Sequence, residues 1–392
     1  MNPFGWPTRP LGDLFDVTQG KAVGPEARKA QPQYPFLRTA NVLWGRVDVS
    51  TLDAMHFSAE ELSAKTLLPG DMLVCEGGDI GRSAIWDGTI SPCGFQNHLH
   101  RLRPKSPEVH PPFFMYALRA GFTQLGAFEG AGNRTTIPNL SRGRLQALHV
   151  PYPAASVQSF IADLLKLVEQ SRDTAELQVA AAQALKEATM QRLFTRGLLG
   201  EEPASSGYPE IWRAARFDEL AILHRGYDLP VASRSPGSIP VIGSNGVVGH
   251  HAEAKRQGPG VIIGRSGTIG KSFYVDGPYW PLNTSLFVND FIGNDPLYVH
   301  YFMQHIDLTS LTAGVSVPTL NRNLVHETPI RIPARDEQIE IAQVLAAIDK
   351  KIYVSEQRMI RRTELFETLL HDLMSGALTM PSTDRILTLG TS

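Results

Sequence analysis

The stretch that comes nearest to a known chemical motif is Gly264-Arg-Ser-Gly-Thr-Ile-Gly-Lys-Ser, which almost spells a phosphate-binding P-loop. A P-loop needs one glycine, four further residues and then Gly-Lys-Ser/Thr, because its backbone N–H groups must surround the phosphates at a helix N-terminus. Here Arg265 stands where the first glycine belongs, and Gly264 is one residue too far. A second copy of the turn, Gly78-Asp-Ile-Gly-Arg-Ser, carries arginine in place of the lysine. The spacing therefore predicts a tight turn between two strands.

Two other patterns also fall short of a catalytic site. Asp295-Pro-Leu-Tyr differs by one proline from the Asp/Asn-Pro-Pro-Tyr/Phe signature of amino-methyltransferases, and no glycine loop for a methyl donor precedes it. The pattern fits a helix start, with Asp295 as the capping residue and proline in the first turn. The histidine pairs lack a Cys or His companion at zinc spacing, and the chain has only two cysteines. We predict no catalytic residues and no metal site.

The composition is that of an ordinary globular protein. The chain has 392 residues, of which 42% are hydrophobic and 19% charged, and this length suits two or three domains. No run is long and apolar enough to span a bilayer, and the N-terminus lacks the build of a signal peptide, so we expect a cytoplasmic protein. The formal charge of −2 shows no global preference for nucleic acid. Binding of DNA would require a local positive surface or a partner chain that supplies one.

Two long stretches must position the shorter motifs. They run from Ala154 to Arg196 and, 180 residues later, from Ala334 to Ser375. Neither contains Gly or Pro, which predicts helices of about 60 Å, and their 4-3 apolar spacing is typical of a coiled coil. We expect the two helices to pair as an antiparallel coiled coil. The predicted seam consists of Ile161, Leu165, Val168, Leu193, Ile341, Leu345, Ile348, Ile352, Phe366, Leu369 and Leu373.

The repeat extends over the whole chain. Trp6 and Trp212 open matching segments, and each half continues with short β-rich runs, a glycine turn, a helical run and a Pro-centred turn before its long helix. The predicted fold class is mixed α/β (α+β), with two similar globular domains that are each followed by a long helix, and with pseudo-two-fold symmetry. The predicted segments are globular domain 1 (1–150), central long helix (151–199), linker (200–211), globular domain 2 (212–332), C-terminal long helix (333–380) and tail (381–392).

This duplicated plan suits a protein that reads two short targets on one long ligand, and DNA is the natural candidate. The chain resembles the specificity (S) subunits of Type I restriction–modification systems over essentially its whole length. The resemblance rests on the Trp-x4-Leu/Phe-x-Asp/Glu-Leu openings, the glycine turns and the Gln96-Asn-His run. It continues through Pro138-Asn-Leu-Ser, Pro318-Thr-Leu-Asn and the Gln-x2-Ile-Ala start of both long helices.

The resemblance implies two target-recognition domains, each reading half of a bipartite double-stranded DNA site. It further implies that the helices set the spacing and dock two adenine-N6 methyltransferase (modification) subunits, with restriction motor-nuclease subunits completing the complex. S-adenosylmethionine would belong to the methyltransferase partner, and this chain would hold no cofactor. The DNA-binding positions that the resemblance suggests are Arg82, Asn97, His98, Arg134, Asn139, Arg142, Lys271 and Arg322. The base contacts of this family lie on variable loops, so the DNA sequences of the half-sites cannot be predicted from this amino-acid sequence.

Two alternatives belong to other classes. An adaptor protein with duplicated protein-binding domains would show the same repeat, but its binding would not weaken steeply as salt rises. A self-sufficient methyltransferase would need the methyl-donor and catalytic motifs that this sequence lacks.

Overall fold

The computed structural model describes residues 6–128, 139–198, 209–313 and 318–378. The chain divides into two compact units. Unit 1 comprises Met1–Thr174 together with Met359–Ser392, and unit 2 comprises Ala175–Arg358. Both divisions fall inside a long helix, so each long helix contributes one part to each unit.

Unit 1 contains short strands and helices that lead into the first long helix. The helices are α1 (Leu11–Leu14), α2 (Pro25–Lys29), α3 (Ala59–Lys65), α4 (Pro111–Thr123), α5 (Arg142–Ala147) and the long α6 (Ala155–Arg196). The strands are β1 (Thr8–Pro10), β2 (Phe15–Gln19), β3 (Gln33–Leu37), β4 (Val42–Leu43), β5 (Arg46–Val47), β6 (Asp53–His56), β7 (Met72–Cys75), β8 (Ser83–Ile85), β9 (Gly94–Phe95), β10 (Leu99–Pro104) and β11 (His149–Pro151). The main sheet has the antiparallel order β2-β10-β7-β8, and a second sheet has the order β6-β3-β9.

Unit 2 repeats this plan. Its strands are β12 (Arg213–Arg216), β13 (Ile222–Arg225), β14 (Ile239–Gly243), β15 (Gly246–His251), β16 (Gly260–Gly264), β17 (Ser272–Val275), β18 (Trp280–Pro281), β19 (Ser285–Asp290), β20 (Thr312–Ala313), β21 (Thr319–Leu320) and β22 (Pro329–Ile332). Its helices are α7 (Pro296–His305), α8 (Arg322–Glu327) and the long α9 (Arg335–Ser375). The order β13-β19-β16-β17 corresponds to the main sheet of unit 1, and β15-β14-β18 corresponds to its second sheet. The predicted duplicated α+β class is confirmed.

The near-P-loop is a turn between antiparallel strands, as its spacing predicts. It joins β16 to β17, which pair with Ile263 opposite Ser272, and the turn of unit 1 joins β7 to β8 in the same way. Gly81 and Gly270 both adopt φ near +80°, a conformation that glycine enters without strain. Asp295 also takes its predicted role, because its carboxylate accepts the N–H of Tyr298 at the start of α7 (2.8 Å).

Both long helices form where Gly and Pro are absent and end at the first glycine. Gly197 and Gly376 lie in the left-handed region at +64° and +83°, and each N–H donates to the carbonyl four residues earlier. A buried glutamine fixes each beginning. Gln158 donates to the carbonyl of Pro153 and accepts the N–H of His110 just before α4. Gln338 makes the corresponding bonds in unit 2, which gives the Gln-x2-Ile signature a structural reason.

The predicted helix pairing is found inside each unit. In unit 1 the early part of α6 shares a core with the last part of α9, and in unit 2 the end of α6 shares a core with the start of α9, as an antiparallel pair requires. Seven predicted seam residues are buried in these cores, namely Ile161, Leu165, Leu193, Ile341, Leu345, Phe366 and Leu373. Val168, Ile348, Ile352 and Leu369 are half-buried. Most of the seam thus packs within the chain, and the docking of partner subunits on these helices remains a prediction.

A tyrosine–carboxylate bond attaches the globular part of each unit to its long helix. In unit 1 the hydroxyl of Tyr116 on α4 donates to Glu169 on α6 (2.9 Å). In unit 2 the hydroxyl of Tyr301 on α7 donates to Asp349 on α9 (2.7 Å). We call these two bonds the tyrosine ties.

A cation completes each tie with the second long helix of its unit. Arg119 contacts Glu169 on α6 (3.1 Å) and Glu367 on α9 (2.9 Å). Lys186 on α6 contacts Asp349 on α9 (2.7 Å) and donates to Gln304 on α7 (3.2 Å). Each globular part is therefore bonded to both long helices at one place.

Candidate nucleic-acid interface

A basic cavity of about 440 Å³ lies in unit 2 where three neighbouring strands end. Arg225 is the last residue of β13 and pairs with Leu286 on the central strand β19, while Arg265 follows the last residue of β16. Arg322 reaches the same cavity because the N–H of Leu320 donates to the carbonyl of Arg265 (2.9 Å). We call this site, lined by Arg225, Arg265 and Arg322, the arginine cavity.

The electrostatics of the arginine cavity favour an anion. Partial burial and the positive charge of Arg225 both lower the pKa of Arg265. Within the described residues, the guanidinium groups of Arg225, Arg265 and Arg322 form no side-chain hydrogen bond or ion pair. Like charges held together in this way raise the local positive potential, which attracts negative ligands.

Polar side chains extend the surface around this cavity. The hydroxyl of Thr268, in the glycine turn, donates to the side-chain oxygen of Asn245 at the tip of the β14–β15 hairpin. The carbonyl of Thr284 accepts the N–H groups of Arg265 (3.0 Å) and Ser266 (3.3 Å). The hairpin, the glycine turn and the strand ends therefore form one continuous surface. Its Asn, Thr and Arg side chains are the types that proteins use on base edges and phosphates.

The equivalent position of unit 1 has different chemistry. Gln19 ends β2, His100 lies opposite it on β10, and Glu76 follows the last residue of β7. The amide of Gln19 donates to the Glu76 carboxylate (3.1 Å), which lies 3.8 Å from Nε2 of His100. Burial lowers the pKa of His100 and so favours its neutral form, although the carboxylate of Glu76 acts in the opposite direction. We call Gln19–His100–Glu76 and Arg225–Leu286–Arg265 the two strand-end triads.

Two of the predicted DNA-binding residues adjoin the unit 1 triad. The carbonyl of Asn97 accepts from the amide of Gln19 (2.9 Å), and the carbonyl of His98 accepts the N–H of Glu76 (2.9 Å). The side chain of Asn97 is half-buried, and that of His98 is exposed.

Two more approach the triad from the Pro-centred turn. Asn139 precedes Leu140, whose N–H donates to the carbonyl of Glu76 (2.7 Å) and whose own carbonyl bonds to His100 (3.1 Å). Arg142 begins α5 with its side chain exposed, and its charge contributes to the lowered pKa of His100. The structure thus brings Asn97, His98, Asn139 and Arg142 together, and their contact with DNA remains a prediction.

The two cations after the glycine turns differ in their surroundings. Arg82 is half-buried, with its guanidinium donating to Asp79 (3.0 Å) and to the carbonyl of Thr39 (2.7 Å). These bonds hold the turn together and leave little of Arg82 for a ligand. Lys271 is exposed, with its ammonium group 5.5 Å from the centre of the Phe273 ring. Of the remaining predictions, Arg322 lies in the arginine cavity, and Arg134 lies outside the described residues.

The residues at the centre of each surface were not predicted from the sequence. Arg265 was noted only as a mismatch to a P-loop, and Arg225, Gln19 and Glu76 were not proposed as site residues. A signal was nevertheless present, because Glu76 and Arg265 hold the same place in the repeat, between a buried strand and the glycine turn. Comparison of the two repeats therefore reveals a reversal of charge at this position.

The long helices also present apolar side chains to solvent. The larger ones, each between 44% and 71% exposed, are Leu167, Leu177, Leu185, Tyr353, Ile360 and Leu365. In unit 2 a groove of about 620 Å³ runs between the two helices, with Ala181, Ala182 and Ala347 among its lining and Lys350 and Arg358 at its border. Small residues on both helices leave this space unfilled.

Clusters of metal-binding side chains and membrane-spanning helices are both absent from the described residues. No three His, Cys, Asp or Glu side chains there lie close enough together to hold a metal ion. In the same ranges, no helix combines the length and the apolar character needed to cross a membrane.

Comparison with known proteins gives a consistent result. A protein of Methanocaldococcus jannaschii described as the specificity subunit of the type I restriction enzyme MjaX is 21% identical, with 95% of this chain and 94% of that protein aligned. The crystal structure of a Type I restriction–modification S subunit from M. genitalium has the same fold, with a TM-score of 0.67, 18% identity and coverage of 96% and 97%. A structure from work on the assembly and conformational transition of the type I system has a TM-score of 0.58, 13% identity and coverage of 96% and 100%.

The family comparison decides the assignment. The model of the Type I restriction modification DNA specificity domain matches residues 3–179 and again 209–361. These two matches correspond to the two halves of the repeat and together cover most of the chain. The chain therefore belongs to the Type I restriction–modification DNA specificity family, whose members recognise DNA sequence through two target domains.

Proposed function

We propose that this chain is the non-catalytic specificity subunit of a Type I restriction–modification complex, in which unit 1 and unit 2 each read one half of a bipartite DNA site. The observation that carries the proposal is the pair of strand-end surfaces. They occupy equivalent positions on one duplicated scaffold but present different side chains, Gln19, His100 and Glu76 in one unit and Arg225, Leu286 and Arg265 in the other. Two readers with different chemistry suit a target whose halves differ in sequence.

The distribution of charge supports DNA as the ligand. The whole chain has a formal charge of −2, yet the arginine cavity concentrates three positive charges, and Lys271 adds an exposed fourth on the adjoining turn. A local positive surface suffices to hold phosphates when the net charge is near zero, and partner chains can close the rest of a DNA channel.

The long helices supply the docking surface in this proposal. Their exposed apolar residues, among them Leu177 and Tyr353, lie outside the cores of both units and suit burial against another protein. The partners would be two adenine-N6 methyltransferase subunits, which would carry S-adenosylmethionine, together with motor-nuclease subunits. The complex would act on DNA in the cytoplasm.

The same helices would set the distance between the half-sites. Removal of one heptad from each helix preserves the seam and shortens each by about 10 Å, equivalent to roughly three base pairs of DNA. We expect the recognised spacer to change while both half-sites stay the same. Sequencing of the methylated sites would measure this, and an unchanged spacer would contradict the ruler role.

The proposal as a whole is tested by mapping adenine methylation in the host genome with and without this gene. We expect deletion to remove methylation from one split motif and from no other, which would also reveal both half-sites. Purification of the tagged chain provides the second readout, since a specificity subunit should bring a methyltransferase with it. Unchanged methylation together with a chain that binds no methyltransferase would favour the adaptor alternative.

A further inference from the structure

We propose that the arginine cavity of unit 2 binds one backbone phosphate of the DNA, and that the equivalent place in unit 1 has lost this site. The inference rests on the proposed function and adds a residue-level site to it. Its consequence is that the two units hold DNA unequally. Unit 2 would add a sequence-independent electrostatic contact, whereas unit 1 would depend on its other contacts at this place.

The lining of the cavity suits an anion. Leu286, the partner of Arg225 in the sheet, lines the cavity together with Arg225 and Arg265, while Arg322 and Asn323 line it from the start of α8. Among the described residues, no carboxylate side chain lines the cavity. Guanidinium groups bind phosphate through paired N–H donors, so several of them around one space can surround its oxygens.

A phosphate suits this site better than a base edge. Arginine recognises guanine through two neutral acceptors, O6 and N7, and one arginine is enough for that contact. Here several positive charges share one space, and the repulsion between Arg225 and Arg265 is part of the reason that the pKa of Arg265 is lowered. A negatively charged oxygen relieves this repulsion, whereas a neutral acceptor does not.

Unit 1 closes the same place with internal bonds. Glu76 replaces Arg265 and takes the amide of Gln19, the residue that replaces Arg225, while His100 replaces Leu286 and bonds to the carbonyl of Leu140. The negative charge of Glu76 would repel a phosphate. Arg142 remains where unit 2 has Arg322, but Gln19 and Glu76 stand where unit 2 has Arg225 and Arg265.

The test measures DNA binding of the full chain assembled with its methyltransferase, over a range of salt concentrations, for Arg265→Gln and Arg225→Gln. Loss of one phosphate contact should make the negative slope of log K against log[salt] shallower by about 0.9. It should also weaken DNA binding by about tenfold at physiological salt. The loss should be equal on a duplex with the target and on one with a scrambled unit 2 half-site. Arg213→Gln is the matched control, because it removes the same charge from an exposed pair with Glu219 in the same unit.

A neutral methylphosphonate placed at single positions gives a second readout. One such substitution in the unit 2 half-site should weaken DNA binding by the unaltered protein but not by Arg265→Gln. No substitution in the unit 1 half-site should show this coupling. A changed base preference in the variant, or the absence of any coupled phosphate, would overturn the proposal even if the protein still reads DNA. Binding by the unaltered complex that ignores salt would instead refute the proposed function itself. Circular dichroism melting of each variant separates these outcomes from misfolding.

Discussion

The tyrosine ties and the strand-end triads show two opposite results of one duplication. The ties retain their chemistry in both units, since Tyr116 and Tyr301 each donate to a carboxylate on a long helix. The triads differ in their chemistry, because Glu76 in unit 1 stands where unit 2 has Arg265. The bonds that position each globular part are thus kept in both units, whereas the groups on the proposed DNA surface differ. The comparison therefore separates the residues that position the globular parts from those proposed to contact DNA.

The largest expected effect concerns the tie of unit 1. Arg119→Met would leave Glu169, whose side chain is 11% exposed, with Tyr116 and Arg172 as its remaining partners among the described residues. Removal of one partner from a buried ion pair typically lowers the free energy of unfolding by about 3–5 kcal/mol, and Arg172 at 3.6 Å should keep the loss near 3. Hydrogen exchange measured by mass spectrometry should show faster exchange of α4 amides, with unit 2 unaffected.

The matched change in unit 2 is Lys186→Met. The Asp349 side chain is 37% exposed and can be solvated once Lys186 is replaced. The free energy of unfolding should therefore fall by only about 1 kcal/mol, with the change in amide exchange located in α7. Equal losses in the two units would show that burial does not distinguish the two ties.

The next effect in size is a loss of folding stability at acidic pH. It is expected from His300 in unit 2, whose equivalent position in unit 1 is occupied by Met115. Burial is the main cause that lowers the pKa of His300 to about 4, with Lys186 contributing and Asp349 opposing. Between pH 6.5 and 4 the unfolded chain therefore takes up a proton that the folded chain does not, and stability falls as the pH falls. The loss attributable to this group should reach about 2 kcal/mol at pH 5.

Comparison of urea denaturation at pH 7 and pH 5 for the unaltered protein and His300→Met would measure this effect. The variant gives unit 2 the residue that unit 1 already carries, and it should lose less stability on acidification. In unit 1 the equivalent serine, Ser83, has a buried hydroxyl that bonds to none of the described residues, so the Ser272 hydroxyl that now bonds to His300 should tolerate the change. Identical losses for the two proteins would assign the acid sensitivity to other groups.

The smallest effect comes from neutralising the unit 1 triad. Glu76→Gln keeps an acceptor for Gln19 but removes the negative charge near the DNA. We expect binding to strengthen by less than about 1 kcal/mol, with the salt slope unchanged, because an amide neutralises no phosphate. A negative slope that becomes steeper by about 0.9 would mean that the variant binds a phosphate in unit 1 through Arg142.

The long-range plan of the fold could be predicted from the sequence because its signals are repeated and periodic. The long helices were predicted over 151–199 and 333–380, and the structure places them at Ala155–Arg196 and Arg335–Ser375. Absence of Gly and Pro fixes such elements locally. The seam was predictable for the same reason, since a 4-3 spacing of apolar residues identifies the buried stripe of a helix.

The centres of the two surfaces could not be predicted because they depend on strand order. Gln19 and Glu76 are 57 residues apart and meet only because β10 lies between β2 and β7. Composition and spacing carry no information on that order. Tyr116 was hidden for a related reason, because within the apolar run Phe113–Leu118 nothing distinguishes a side chain that bonds to Glu169 from one that only fills the core.

The division of the chain into units has a consequence for its biosynthesis. Unit 2 is one continuous segment, whereas the core of unit 1 includes Phe366 and Leu373, which the ribosome adds more than 200 residues after Ile161 and Leu165. The domain that is made first is therefore completed last, against the usual order in which N-terminal domains mature early. A product terminated within α9, after Arg358 but before Phe366, would leave the unit 1 core open to chaperones and proteases. The last helix thus closes the first domain and makes its maturation a check that translation has reached the end of α9.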